Sequence, residues 1–216
     1  AVDVGVSTHA HFDHDALHRL DASVLLDRLI GSYTFSDLQI HGIAEKHAID
    51  SCCAIYDFKK IHQHFHGVDI TPPNNPRSWD HCLIVIETGG LRILHWGDNR
   101  ADPPEEVWDW LGEIDIALLP VDNSQHVIGF GAVNSIIERL NPKVVIPHHY
   151  YIWDVVQRQR TLQVPSNWLD KYDNVTVIGG PKQIYRRESV DGLNRAIHFF
   201  GDNVAFDKQA WFENGK

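Results

Sequence analysis

The spacing of apolar and polar positions along the chain predicts a succession of short strands with a few helices. Apolar runs of about four to eight residues between turn residues are typical of buried strands. Such runs predict strands at 2–7, 38–43, 115–119, 143–146, 175–178, 183–187 and 196–200, and a strand-like segment at 54–65. Two further runs, 82–87 and 91–96, flank Gly89 and Gly90. They predict a hairpin, because the two glycines supply the positive φ angles of a tight turn.

Three segments have the apolar spacing of amphipathic helices: 22–30, 103–111 and 132–140. Gly31 ends the first of them, and Pro103 and Pro104 open the second. The third lies between two predicted strands, so this order predicts a parallel β-α-β unit. No repeat, linker or change of composition divides the chain. The alternation therefore predicts one layered α/β or α+β domain over 1–216.

The densest group of polar side chains directly follows the first predicted strand. Residues 8–14 read Thr-His-Ala-His-Phe-Asp-His, which places four potential metal ligands within six residues: His9, His11, Asp13 and His14. His9 and His11 leave the same side of an extended segment, whereas Asp13 can begin a helix and approach from another direction. Imidazole and carboxylate are ligands of zinc, iron and manganese. The pattern suits a pair of divalent ions, and a polar loop with chance histidines is the simpler alternative.

Composition adds to this picture. The chain has 15 histidines, which favours metal chemistry, and no methionine. With Ala1 as its first residue, the sequence is expected either to lack a leading segment or to have its methionines left out, which would shorten some motif spacings by one residue. Three cysteines form no even-numbered disulfide framework, so a reducing, cytoplasmic compartment is expected. Since neither a signal-peptide pattern nor a run of about eighteen apolar residues occurs, no membrane span is expected.

The net charge of the chain indicates which kinds of molecule it can bind. The net charge is -10, from 19 basic and 29 acidic residues, and it argues against general nucleic-acid binding, which depends on clustered Lys and Arg. Two divalent ions, about +4 together, would still make the site locally positive. We therefore expect a small-molecule substrate that is anionic, and no nucleic acid. The sequence carries no signal for the oligomeric state.

The run His-x-His-x-Asp-His after an apolar strand resembles the signature of the metallo-β-lactamase fold superfamily. This resemblance implies an α+β fold, a four-layer αββα sandwich. It also implies three later ligands at strand ends: a histidine, an aspartate after a glycine, and a last histidine. His81, Asp98 after Gly97, and His149 follow in that order. The resemblance covers about residues 4–150, roughly two thirds of the chain.

By this resemblance seven side chains would hold two ions. One ion would bind His9, His11 and His81, the other would bind Asp13, His14 and His149, and Asp98 would bridge them. Zinc is the expected metal, with manganese or iron as alternatives. The form Pro-x-His-Tyr at 147–150 resembles the branch that contains ascorbate-6-phosphate lactonase-like proteins and N-acylphosphatidylethanolamine phospholipase D. In that branch the histidine before the tyrosine is the ligand, which favours His149 over His148.

The chain departs from the family pattern in places. The family normally has several strands before its first motif, which agrees with the expected segment before Ala1. Asn99 stands where threonine often follows the bridging aspartate. Asp98 occupies a position where some metallo-β-lactamases have a cysteine ligand. Hydrolysis of antibiotics is therefore not expected.

Several further residues are candidates for the chemistry or for metal binding. His126 could donate a proton to a leaving group or bind an anionic substrate, and Asp122 could orient a ligand histidine, although a capped polar turn explains both equally well. Tyr150 could donate a hydrogen bond to a tetrahedral oxyanion. The predicted catalytic residues are thus Asp13, His126 and Tyr150. A solvated strand face is favoured over a metal site for the alternating His62, His64 and His66.

These residues together predict metal-activated hydrolysis. Two ions bridged by Asp98 would lower the pKa of a shared water and polarise a substrate oxygen. We therefore expect a metal-dependent hydrolase that cleaves an ester, a lactone or a phosphodiester. The alternatives are an iron-dependent redox enzyme on the same fold and a non-catalytic metal-binding module.

Overall fold

The computed structural model describes residues 2–10, 17–48, 80–123, 127–151 and 162–201. The strands in these ranges are β1 Val2–Ser7, β2 Ala22–Asp27, β3 Gly31–Phe35, β4 Leu38–Lys46, β5 Asp80–Thr88, β6 Leu91–His95, β7 Ile116–Pro120, β8 Val144–His148, β9 Val175–Val177 and β10 Ala196–Phe199. The helices are α1 Glu105–Leu111, α2 Phe130–Leu140, α3 Ser166–Leu169 and α4 Arg187–Val190, with a 3-10 turn at Leu17–Arg19. None of these helices is long and apolar enough to cross a membrane.

The strands form two sheets. β1 and β2 pair in parallel as a small sheet, and the other strands form a mixed sheet in the order β3-β4-β5-β6-β7-β8-β10-β9. β3 to β6 pair antiparallel, whereas β6, β7, β8, β10 and β9 pair in parallel. This topology places the carboxyl ends of β4, β6, β7 and β8 at one edge, together with the amino end of β5. Residues that follow those strands therefore meet at this edge.

Two predicted supersecondary units are confirmed. Strands β5 and β6 form the expected hairpin, and its turn residues Gly89 and Gly90 have φ angles of 57° and 73°. Both angles lie in the left-handed region that glycine adopts without strain. β7, α2 and β8 form the predicted parallel β-α-β unit. Asn141 caps the carboxyl end of α2 in a left-handed conformation, and its N–H donates to the Ile137 carbonyl.

Two predicted elements are wrong. The segment 22–30, expected as a helix, contains strand β2, in which partly buried and exposed residues alternate. This segment pairs with β1 in the register Val4↔Val24. The pairing overrides the weak local preference for a helix that the apolar spacing indicated. The predicted strand 183–187 is irregular and leads into α4, whose first turn is capped by Ser189 accepting the Arg186 N–H. The predicted segment 54–65 lies outside the described residues.

The core lies on both faces of the mixed sheet. One face packs against α1, α2 and α3 through residues such as Leu94, Val133 and Trp168. The opposite face packs against the small sheet around Ile84, and against α4. The described ranges thus supply three of the four expected layers, and the mixed sheet with few helices confirms the α+β class.

Opposite charges tie α4 to the amino end of β7. The Arg187 guanidinium donates to both carboxylate oxygens of Asp115 at 2.7 and 2.8 Å, and the main-chain N–H of Arg92 and the Lys143 ammonium donate to the same carboxylate at 2.9 Å each. Burial alone raises the pKa of Asp115, but these donors outweigh it and lower the pKa from 3.8 to about 2. The pair joins residues 72 positions apart.

Acid should remove the stabilisation that this carboxylate provides. Because the folded pKa is depressed, its contribution to the free energy of unfolding is present above pH 3.8 and is lost as the pH falls towards 2. Its size is roughly 2 kcal/mol. Urea unfolding of the metal-free wild type and of Asp115→Asn between pH 2 and 7 should show their stability difference shrinking below pH 4. A difference that stays constant with pH would contradict this assignment.

Candidate metal centre

Four segments bring polar side chains together at the edge described above. His9 follows β1, His47 follows β4, Asp98 follows β6 and His149 follows β8. The Nε2 atoms of His9, His47 and His149 lie 3.7, 3.5 and 3.6 Å from one atom, Oδ2 of Asp98. The side chains of His9, His47 and Asp98 are at most 3% exposed, and that of His149 is 14% exposed. One carboxylate oxygen thus lies between three imidazole nitrogens in a buried site.

The other ring nitrogens are held by neighbours. Nδ1 of His47 lies 2.6 Å from the Ala48 carbonyl oxygen, which can only accept, so Nδ1 carries the proton of the neutral ring and Nε2 presents a lone pair. Nδ1 of His9 is hydrogen-bonded to the Thr8 hydroxyl at 2.9 Å. Such contacts orient a metal-binding imidazole and set its tautomer. His47 is therefore prepared to bind an ion through Nε2.

His149 is placed by its backbone and by a buried acid. Its φ angle is 55°, a left-handed conformation that few residues other than glycine adopt. Its Nδ1 lies 3.8 Å from Oδ2 of Asp122, whose side chain is fully buried. Strained backbone conformations of this kind concentrate at functional sites. The turn after β8 thus directs His149, and not His148, towards Asp98.

Main-chain pairing holds His47 beside Asp98. The N–H of Ala48 donates to the Asp98 carbonyl at 2.7 Å. Glu45 lies two residues before His47, and Arg100 lies two residues after Asp98. The Arg100 guanidinium contacts both carboxylate oxygens of Glu45, at 2.8 to 3.1 Å. The Glu45 side chain is only 4% exposed, which makes this a largely enclosed bidentate pair. The end of β4 and the loop after β6 are therefore fixed to each other.

His81, the expected third ligand of the first ion, occupies a different position. Its Nε2 accepts the main-chain N–H of Asp98 at 3.1 Å, and its ring stacks on His9 with centroids 5.3 Å apart. Among the described residues, the group of potential ligand atoms within 4.8 Å of one another comprises His9, His47 and Asp98. His47 thus takes the place in this group that the sequence interpretation assigned to His81.

His47 is absent from the predicted ligands because the predicted strand ends at residue 43. The strand β4 continues to Lys46, so His47 follows a strand end, which was the signal used for the other ligands. Antiparallel register pairs Glu45 with His81 and so brings both histidines to one edge. Only the contacts of their rings distinguish them.

Two other predicted residues have different surroundings from those expected. The Tyr150 hydroxyl donates to the Gly201 carbonyl at 2.5 Å, so it does not point freely into the site. His148 lies beside His95, with ring centroids 4.9 Å apart. Burial, and then the neighbouring His95 and His149, lower the pKa of His148 well below its usual value, so that its ring stays neutral.

The remaining predicted site residues lie outside the described ranges. They are His11, Asp13, His14 and His126. The alternating His62, His64 and His66 also lie outside them. Their assigned roles stay predictions.

The donor set fits a divalent ion. Two imidazole nitrogens and a carboxylate oxygen are typical zinc ligands, and around a tetrahedral ion with bonds of about 2.0–2.1 Å they lie about 3.3–3.4 Å apart. The distances of 3.5 and 3.7 Å from His47 and His9 to Asp98 are close to this spacing. The donor types, and the distances from these two imidazoles to the carboxylate, therefore fit a divalent ion.

Comparisons with known proteins show which family this chain resembles. A family model described as the beta-lactamase superfamily domain matches residues 1–149. A UPF0173 metal-dependent hydrolase from Pelotomaculum thermopropionicum is 27% identical over 163 residues, which cover 72% of this chain and 70% of the relative. A shorter match is to a relative of the same name from Thermococcus onnurineus, 37% identical over 73 residues, which cover 33% of this chain and 32% of the relative.

Solved structures share the fold. A candidate zinc-dependent hydrolase of the metallo-β-lactamase superfamily from Thermotoga maritima superposes with a TM-score of 0.62 at 21% identity, covering 92% of this chain and 82% of that one. A metallo hydrolase from Ignicoccus hospitalis gives a TM-score of 0.51 at 18% identity, covering 78% and 70%. At these identities the likeness concerns the fold alone. With the family match over residues 1–149, it follows that the chain belongs to the metallo-β-lactamase superfamily, among its metal-dependent hydrolases.

Proposed function

We propose that the protein binds two divalent metal ions, zinc in the first place, and uses water activated by them to hydrolyse an ester, lactone or phosphodiester bond. The observation that carries this proposal is the convergence of three histidine Nε2 atoms on Oδ2 of Asp98. A carboxylate oxygen surrounded in this way suits a ligand shared by two ions. Relatives named metal-dependent hydrolases support the reaction class.

The proposed ligand set differs from the sequence-based one by a single residue. In this set His9, His11 and His47 would hold one ion, Asp13, His14 and His149 would hold the other, and Asp98 would be shared. His47 replaces His81, because the Nε2 of His81 already accepts the Asp98 N–H, whereas the Nε2 of His47 faces the Asp98 carboxylate. His11, Asp13 and His14 enter this set from the sequence motif alone.

The chain contributes orientation, charge and exclusion of water. Bound divalent ions supply hydroxide near neutral pH and polarise the substrate oxygen. The Ala48 carbonyl orients the His47 ring and leaves Nε2 as the ligand atom of its neutral form, and burial keeps the Asp98 carboxylate away from competing water. The proposed proton-transfer residues are Asp13 and His126. Tyr150 is not one of the proposed catalytic residues, because its hydroxyl donates a hydrogen bond to the Gly201 carbonyl. An anionic small molecule is the proposed substrate class.

Metal content and turnover test the proposal together. Elemental analysis of protein purified without added metal, and after reconstitution with zinc, should give two ions per chain. A panel of esters, lactones and phosphodiesters should show turnover that a chelator abolishes and zinc restores. The control is His41→Asn, since His41 lies on β4 but contacts Ser32 and Glu87 away from the site; it should retain metal and activity.

Two results would contradict this function. A single iron per chain, with oxygen consumption and no hydrolysis, would favour the redox alternative. Unfolding on metal removal, without turnover of any compound in the panel, would favour a structural metal module.

A further inference from the structure

His81 is enclosed by the segments that carry the proposed ligands. It forms a β-bridge with His9, and the N–H of the next residue, Cys82, donates to the Thr8 carbonyl at 2.8 Å. On its other side it pairs with Glu45 on β4. The residue is 1% exposed, so its ring is held in one place by its neighbours.

The ring reaches the main chain of the loop that carries Asp98. Its Nε2 accepts the Asp98 N–H at 3.1 Å. A Cβ atom on Gly97 would lie 2.5 Å from Nε2 and 2.9 Å from Cε1 of His81, closer than real Cβ atoms approach other atoms. Gly97 also has a φ angle of 58°, which side chains disfavour. The missing side chain at position 97 thus leaves the space that the imidazole fills.

This contact defines the chemical state of His81. An Nε2 atom that accepts a main-chain N–H has no proton, so the neutral ring carries its proton on Nδ1. The lone pair of Nε2 is then directed at the amide and not at an ion. The Asp98 backbone is held from both sides, because its carbonyl accepts the Ala48 N–H at 2.7 Å.

We propose that His81 is a positioning residue, which fixes the main chain of Asp98 and thereby aims its carboxylate at the imidazoles of His9 and His47. The expected effect of His81 on metal binding rests on the proposed metal site. The contact itself requires no metal. Loss of the acceptor is expected to weaken metal binding by 10- to 100-fold, roughly the loss seen when a residue that orients a ligand is removed.

Two substitutions of similar size separate this role from that of a ligand. His81→Gln places a carbonyl oxygen near the position of Nε2 and can still accept the Asp98 N–H, whereas His81→Asn is too short to reach it. In the metal-free proteins, exchange of the Asp98 amide hydrogen should be slow for wild type and His81→Gln, and at least about tenfold faster for His81→Asn. This measurement does not depend on the proposed function.

Zinc titration of the same proteins tests the consequence. Wild type and His81→Gln should bind two equivalents with affinities within about threefold, and His81→Asn should bind 10- to 100-fold more weakly, on the order expected for an orienting residue. His41→Asn serves as the control and should match the wild type. Loss of one equivalent in His81→Gln would make His81 a ligand and overturn the proposal, as would unchanged exchange and affinity in His81→Asn. If the wild type binds no zinc, both the proposed metal site and the effect of His81 on zinc affinity are wrong. The exchange rates still show whether His81 accepts the Asp98 N–H.

Discussion

Replacing Asp98 by alanine is expected to abolish both metal binding and turnover. Its Oδ2 lies 3.5 to 3.7 Å from the Nε2 atoms of three histidines, so no other described side chain occupies the centre of the site. If Asp98 is the proposed shared ligand, its loss would remove charge stabilisation of several kcal/mol from the transition state. About 4 kcal/mol corresponds to a rate reduction of about a thousandfold. Metal content, measured by elemental analysis, should fall with the rate.

Two further variants sharpen this prediction. Asp98→Asn keeps the size of the side chain and the main-chain contacts but removes its charge, and it should lose metal nearly as completely. Asp109→Asn removes an equal charge from an exposed position on α1 and should leave metal content and rate unchanged. If Asp98→Ala retained two ions and the wild-type rate, the proposed centre would be wrong.

Replacing His47 by alanine should remove one of the two proposed ions and reduce turnover by more than about a hundredfold, beyond the range of residues that only orient ligands. The His47 Nε2 faces Asp98 at 3.5 Å, and its ring is completely buried, with Nδ1 on the Ala48 carbonyl. The variant leaves the Asp98 loop held by His81, so folding should be preserved.

The control is His41→Ala, which removes a histidine from β4, the strand that His47 follows. His41→Ala loses the contacts with Ser32 and Glu87, which lie away from the site. Its metal content should match that of the wild type. Two bound ions in His47→Ala, together with one in His81→Ala, would restore His81 as the ligand and exclude His47.

Local sequence signals were sufficient for part of this structure. The Gly89-Gly90 pair between two apolar runs specifies the hairpin β5-β6, because few residues other than glycine tolerate two successive positive φ angles. The apolar spacing of α2 between two buried strands specifies the β-α-β unit. Asp98 after Gly97 was placed by its motif, and the structure brings it together with His9 and His149, two of the other predicted ligands.

Other features depended on partners distant in sequence. The segment that forms β2 has apolar residues at helical spacing, and its pairing with β1 makes it a strand. The Asp115–Arg187 pair joins two elements whose proximity no local pattern indicates. In each case the contact partner, and not the local preference, determines the conformation.

The sequence by itself determined the chemistry of the site: a histidine- and aspartate-rich motif after a strand, a later aspartate after glycine, and a last histidine before tyrosine. The tertiary structure alone decided which histidine joins His9 beside Asp98. Antiparallel pairing of β4 with β5 brings His47 and His81 to the same edge, 34 positions apart in sequence. There the His81 ring meets a main-chain N–H, while the His47 ring meets the carboxylate. That difference arises from the three-dimensional position of each ring, which residue type and spacing do not encode.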